Sequence, residues 1–136
     1  MARFEDQTTE TLTERRNALA RGLAGAADFT PGTLQEEWGR CGKPGCRCHQ
    51  EGDPGHGPRY SLMRYEQGRP VKRKVPARLA DQARARTEAW AAFKSACAEI
   101  ADVNAELSRR WLAGGTAPEA ATCGQRGGFG PRPRRP

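Results

Sequence analysis

Residues 39–58 read GRCGKPGCRCHQEGDPGHGP, three cysteines and two histidines in a stretch with almost no hydrocarbon. Such a segment cannot hold a shape by burying apolar surface. Yet it sits between two segments with strand character, so whatever fold the chain adopts must fix this loop by other means. Thiolates and imidazole around one Zn²⁺ do this directly, because a structural zinc site contributes folding free energy of its own.

The donors are spaced Cys41-x4-Cys46-x-Cys48, followed by His49 at once or by His56 after seven more residues. Tetrahedral zinc takes four soft or borderline donors, and three cysteines with one histidine is a common structural set. Gly42, Pro44 and Gly45 permit a tight turn, and Cys46 and Cys48, two apart on extended backbone, project to the same side. His49 adjoins Cys48 and tends to point away, whereas Gly52-Asp53-Pro54-Gly55 is turn-rich and able to swing His56 back. The expected ligands are therefore Cys41, Cys46, Cys48 and His56, with His49 as the alternative fourth.

Three other chemistries fit less well. A redox pair of thioredoxin type needs Cys-x-x-Cys, and buried inert thiols do not suit so polar a stretch. A catalytic zinc of the nucleobase-deaminase kind needs an upstream His-x-Glu as well as Cys-x-x-Cys, and the chain has neither. No nucleophile–base pairing or phosphate-cradling glycine loop stands out elsewhere. Asp53 and Asp81 read as turn and helix-start residues, Cys97 as a core thiol and Cys123 as part of the tail. The chain reads as a non-enzyme, with a zinc-dependent enzyme as the least favoured class.

A staple also suits the rest of the composition. Only 36% of the 136 residues are hydrophobic, so a large core is not expected. The net charge of +7 is concentrated: residues 39–86 carry twelve Lys or Arg against four acids. Localised positive charge is what an anionic partner selects. Arg40, Lys43, Arg47, Arg59, Arg64, Arg69, Lys72, Arg73 and Lys74 are the candidate phosphate contacts on DNA or RNA, with Tyr60 and Tyr65 available for base stacking. No segment has the apolar length of a membrane span or the pattern of a secretory leader. The expectation is a soluble cytoplasmic protein with reduced cysteines, nucleoid-associated if it binds DNA.

Along the chain, residues 1–10 read as a flexible N-terminus. Residues 11–25 form a first helix, with Thr11 to Glu14 as a capping box and Leu12, Leu19 and Leu23 on one stripe. Thr33 to Arg40 alternates as a short strand, and Tyr60–Tyr65 and Val71–Val75 form a hairpin about Glu66-Gln67-Gly68-Arg69. Pro76 suits a first helical position. Beyond it Leu79, Ala83, Arg86, Trp90, Phe93, Cys97, Ile100, Asn104, Leu107 and Trp111 recur in alternating steps of four and three, giving a long helix over 76–113. The bland reading packs this stripe on the sheet and first helix. The sharper one makes Leu79–Trp111 a coiled-coil-like face for a second copy or a partner protein, with Asn104 setting register, since the first helix is too short to cover it all. Residues 114–136 are rich in Gly, Pro and Arg and read as a disordered basic tail, with Arg126-Gly127-Gly128-Phe129 similar to RGG segments that bind nucleic acid.

The expected fold is α+β: a short N-terminal helix, a small three-stranded antiparallel sheet with a zinc-binding loop (33–75), and a long C-terminal helix, together one domain over 11–113. Cys41-Gly42-Lys43-Pro44-Gly45-Cys46-Arg47-Cys48, His56-Gly57-Pro58-Arg59-Tyr60, Gly32-Thr33-Leu34 and Val75-Pro76 resemble an uncharacterised family of small bacterial and archaeal proteins with a CGKPxCxC…HGPYY signature. The resemblance spans about residues 30–110. It implies His56 as the ligand histidine and, because such proteins often occur near mobile elements, an accessory role to one. Arg59 stands where that pattern carries an aromatic. The activity that follows from the residues is zinc-stabilised, non-catalytic nucleic-acid binding, the alternative being a protein-interaction or dimerisation adaptor.

Overall fold

The structure, a computed structural model, describes residues 3–115. Helix α1 spans Thr9–Ala24, strand β1 Thr33–Gly39, β2 His56–Glu66, β3 Arg69–Val75, and helix α2 Ala80–Leu112. The strands form one antiparallel sheet in the order β1-β2-β3. This is the α+β arrangement expected from the sequence.

Helix α1 starts earlier than the Thr11 capping box implies. Thr8 is the N-cap, its hydroxyl accepting the Thr11 N–H at 3.2 Å. Thr11 is thus the capped donor and not the cap; starting here puts Glu10 in the first turn, where the helix dipole favours an acid. The segment read as a flexible N-terminus contributes Phe4 to the core. Arg110 of α2 ties it down by donating to the carbonyls of Phe4 (2.9 Å) and Gln7 (2.8 Å).

Pro76 also sits differently from the expectation. It has extended backbone and precedes a 3₁₀ turn over Ala77–Leu79, so α2 begins at Ala80. The tighter turn, closed by Leu79 N–H on the Pro76 carbonyl at 2.9 Å, sets Ala80 down as a buried residue.

The apolar face of α2 is shared among three neighbours, which the length argument for a partner did not foresee. Toward its C-terminal end, Val103 and Leu107 are fully buried with Leu12 of α1. In the middle, Phe29 from the α1–β1 connection packs on Trp90 and Phe93, with ring centroids 5.1 and 4.8 Å away. Toward the N-terminal end the helix meets β1, where Arg84 pairs with Glu36 at 3.6 Å. Arg86 locks the connection by bonding Thr30 and Asp28. The far end is exposed, with Trp111 49% and Leu112 77% accessible. Asn104, the expected register residue, is half-buried.

In the sheet, the hairpin turns on Gln67-Gly68, both with positive φ (51° and 77°), the pattern of a two-residue I′ connection. The register places Leu34, Glu36, Tyr60, Leu62, Arg64, Val71, Arg73 and Val75 on one face; Glu36 turns that face toward α2. Gln35, Glu37, Arg59, Ser61, Met63, Tyr65, Lys72 and Lys74 share the other.

Candidate metal centre and basic sheet

The loop between β1 and β2 is closed at its base by the pairing of Gly39 with His56. That closure needs glycine at position 55. Gly55 is buried at φ 94°, and a Cβ there would lie 2.7 Å from the Gly39 carbonyl oxygen. Asp53 shapes the return by accepting the Gly55 N–H at 2.8 Å on one carboxylate oxygen and pairing with Arg47 at 3.0 Å through the other. On the outgoing side, the Cys46 N–H reaches back to the Lys43 carbonyl at 3.3 Å with Gly45 at φ 82°, and Arg47–His49 form a 3₁₀ turn.

These local bends converge on one point. The sulfurs of Cys41, Cys46 and Cys48 and a ring nitrogen of His56 all lie within 4.8 Å of one another, a group that could hold a metal ion. Cys41 Sγ and Cys48 Sγ are 3.6 Å apart, and Cys46 Sγ lies 3.2 Å from His56 Nε2. The Cys41 N–H points at Cys48 Sγ (3.4 Å), the arrangement that stabilises a thiolate. Cys48 is fully buried, and burial pushes its thiol up. Cys46 is held down at about 6, first by a backbone hydrogen bond from Cys48 and then by its contacts with Cys48, Cys41 and His56.

His49 is placed outside this group. Its Nε2 lies 2.7 Å from the Cys41 carbonyl, so it braces the backbone that carries one donor. Sequence reasoning weighed it as the alternative ligand and otherwise as a surface residue or phosphate contact, and missed this role. It likewise treated Asp53 as a turn residue without seeing its tie to Arg47; the DPG turn was the available signal for the first bond, and nothing local signalled the second.

The structure does not gather the expected phosphate contacts on one surface. Arg59, Lys72, Lys74 and Tyr65 share the open face of the sheet; Tyr60, Arg64, Arg69 and Arg73 belong to the other. Arg40, Lys43 and Arg47 stand around the cysteine loop. Several are already engaged: Arg64 and Arg73 with Glu66 (3.3 and 3.4 Å), Arg47 with Asp53, and Lys72 with Glu37. Among the described residues, Arg40, Lys43, Arg59, Arg69 and Lys74 have no ion-pair partner. The RGG-like segment and Cys123 lie outside the described residues.

Fold and donors together define a small α+β module built around a Cys/His cluster. The family described as a domain of unknown function, DUF6788, matches residues 9–85, and the chain belongs to it. The matched span holds α1, all three strands and all four clustered donors, and ends in the second turn of α2. Comparisons with curated proteins and with solved structures find no match. No described helix is long and apolar enough to cross a membrane.

Proposed function

We propose that this protein is a zinc-stapled, non-catalytic nucleic-acid-binding module, its folded unit being the expected 11–113 extended at its start to take in Phe4 and all of α1. The observation that carries the reading is the Cys41–Cys46–Cys48–His56 cluster at the root of a sheet whose open face is cationic. The donor set favours zinc. Bond lengths of about 2.3 Å to sulfur and 2.0–2.1 Å to nitrogen put donors in a tetrahedron roughly 3.5–3.8 Å apart, close to the spacings found here. With four protein donors the ion is closed to substrate, which is a structural and not a catalytic arrangement. Three thiolates also leave the site with residual negative charge, which Arg40 and Lys43 in the same loop offset.

Nucleic acid is the favoured partner because cations repeat along the open face and Tyr65 is exposed beside them. Contacts of this type position a backbone and read little sequence. An accessory role to a mobile element is part of this reading and rests on the sequence resemblance alone. The test is fluorescence anisotropy of the zinc-loaded chain with labelled oligonucleotides across a salt series. Log affinity should fall linearly with log salt, by about 0.7–0.9 per phosphate neutralised, and a flat profile overturns the reading. Metal content of one zinc per chain, lost on Cys46→Ser, tests the staple separately.

A second reading is favoured by one observation, an apolar groove of about 680 Å³ between α1 and α2 lined by Ala18, Leu19, Gly22, Leu23, Ala92 and Phe93 among others. It is the adaptor alternative, in which a second copy of the chain lies along that groove. Sedimentation of a monomer at high micromolar concentration removes it.

A further inference from the structure

At the centre of the open sheet face, Ser61 is only 7% exposed and its hydroxyl oxygen, fully out of solvent, has no hydrogen-bond partner. A buried hydroxyl left unpaired carries a desolvation cost, so it points to a group that arrives from outside. The neighbour best placed to satisfy it, Gln35, is turned away and donates its amide to the sulfur of Met63 at 3.6 Å. Ser61 lines an open concavity of about 480 Å³ together with Glu37, Arg59, Tyr60, Lys72 and Lys74. All of these belong to the sheet, so nothing from either helix covers it.

The charges around this hydroxyl are unbalanced in one direction. Three cations face one carboxylate, and that carboxylate, Glu37, is already taken by Lys72. Arg59 and Lys74 have no ion-pair partner among the described residues and flank Ser61, Lys74 directly across the β2–β3 ladder and Arg59 two residues back on β2. A hydroxyl donor on the floor, a forked guanidinium on one side and a point-charge ammonium on the other is the chemistry that holds a tetrahedral anion.

From this juxtaposition we infer that the concavity over Ser61 takes one phosphate group, presented by the backbone of a nucleic acid. Ser61 donates to a phosphate oxygen, while Arg59 and Lys74 neutralise its charge. This rests on the nucleic-acid reading and sharpens it, because it selects the face carrying Arg59, Lys72 and Lys74 over the one carrying Arg69 and Arg73. Ser61 gives specificity for an anion that accepts hydrogen bonds, which a uniform basic surface does not.

The test uses the full zinc-loaded chain, a fluorescein-labelled oligothymidylate and, separately, inorganic phosphate followed by amide chemical shifts. Ser61→Ala should weaken oligothymidylate binding about tenfold, the loss expected for one hydrogen bond to a charged group. Ser61→Thr, which keeps the hydroxyl, should restore it, and Lys74→Gln should weaken it as Ser61→Ala does. Arg69→Gln on the opposite face should leave it unchanged, and zinc content should stay the same throughout. If Ser61→Ala and Lys74→Gln bind normally while Arg69→Gln and Lys43→Gln do not, this site is wrong and the nucleic-acid reading stands. If the wild type ignores oligothymidylate yet phosphate shifts Arg59, Ser61 and Lys74 saturably, the nucleic-acid reading falls and the phosphate site remains. Silence toward both probes overturns both.

Discussion

The two halves of this molecule differ in what they bury. The helical half is an antiparallel helix pair in which Leu12, Val103 and Leu107 are fully buried, with Phe4 and the Phe29–Trp90–Phe93 cluster extending the contact. The sheet half has no comparable core; its one fully buried side chain is Cys48, a member of the donor cluster. Hydrocarbon is diffuse and forgiving, whereas a donor cluster is all-or-none. The contrast teaches that hydrocarbon can gather in one half of a chain while the other half carries a donor cluster able to hold a metal.

Removing metal should break the contrast most completely. A chelator takes away the apparent ~10–16 kcal/mol that structural zinc provides in small domains. Amide resonances of β1, β2 and the loop should collapse, while those of α1 and the C-terminal part of α2 persist and far-UV ellipticity stays largely helical. Uniform melting of both halves would show that the helix pair depends on the metal too. Next in size, Leu12→Ala should cost ~2–5 kcal/mol, because it deletes a fully buried side chain and leaves a cavity. Thermal unfolding should move down with zinc stoichiometry unchanged.

How much of this division was legible follows from which interactions are local. The donors, the hairpin and the long helix each announce themselves within a few residues: Cys-x-Cys, Gln67-Gly68 and a sustained four–three repeat. The sharing of the α2 stripe did not. It depends on Phe29, a lone aromatic in an irregular connection, reaching a helix some sixty residues onward. Splitting of the basic residues between two faces was readable from strand alternation once register was known, but register is a property of paired strands and not of one.

Smaller perturbations sharpen the comparison within each half. Gly55→Ala forces a Cβ against the Gly39 carbonyl at a positive φ and should cost about 1–3 kcal/mol, read as weaker zinc retention with the helix pair unaffected. His49→Ala removes a brace on Cys41, so zinc affinity should fall about tenfold without a change in stoichiometry. In the helical half, Arg109 and Arg110 hold Glu106 down at about 2 from its ordinary 4.5. A lowered carboxylate stabilises the fold fully above its ordinary value and loses that contribution as pH falls toward the lowered one. Acid titration between about 4.5 and 2 should therefore loosen the Phe4–Gln7 segment that Arg110 clamps, and Glu106→Gln should flatten that step, as followed by Phe4 side-chain resonances.

Among the described residues, strand β3 ends the sheet, its outer row of backbone donors and acceptors without a strand partner. An exposed edge of this kind invites a fourth strand from another molecule, and the run Arg69-Pro70-Val71-Lys72-Arg73-Lys74-Val75 discourages it by placing a proline and repeated cations along the rim. The same lysines thus guard an edge as well as supplying charge. Stripping them wholesale would create a sticky border, and a lost affinity in such a variant would have to be separated from ribbon-like self-assembly. Single substitutions at Lys74 or Ser61 leave that rim guarded.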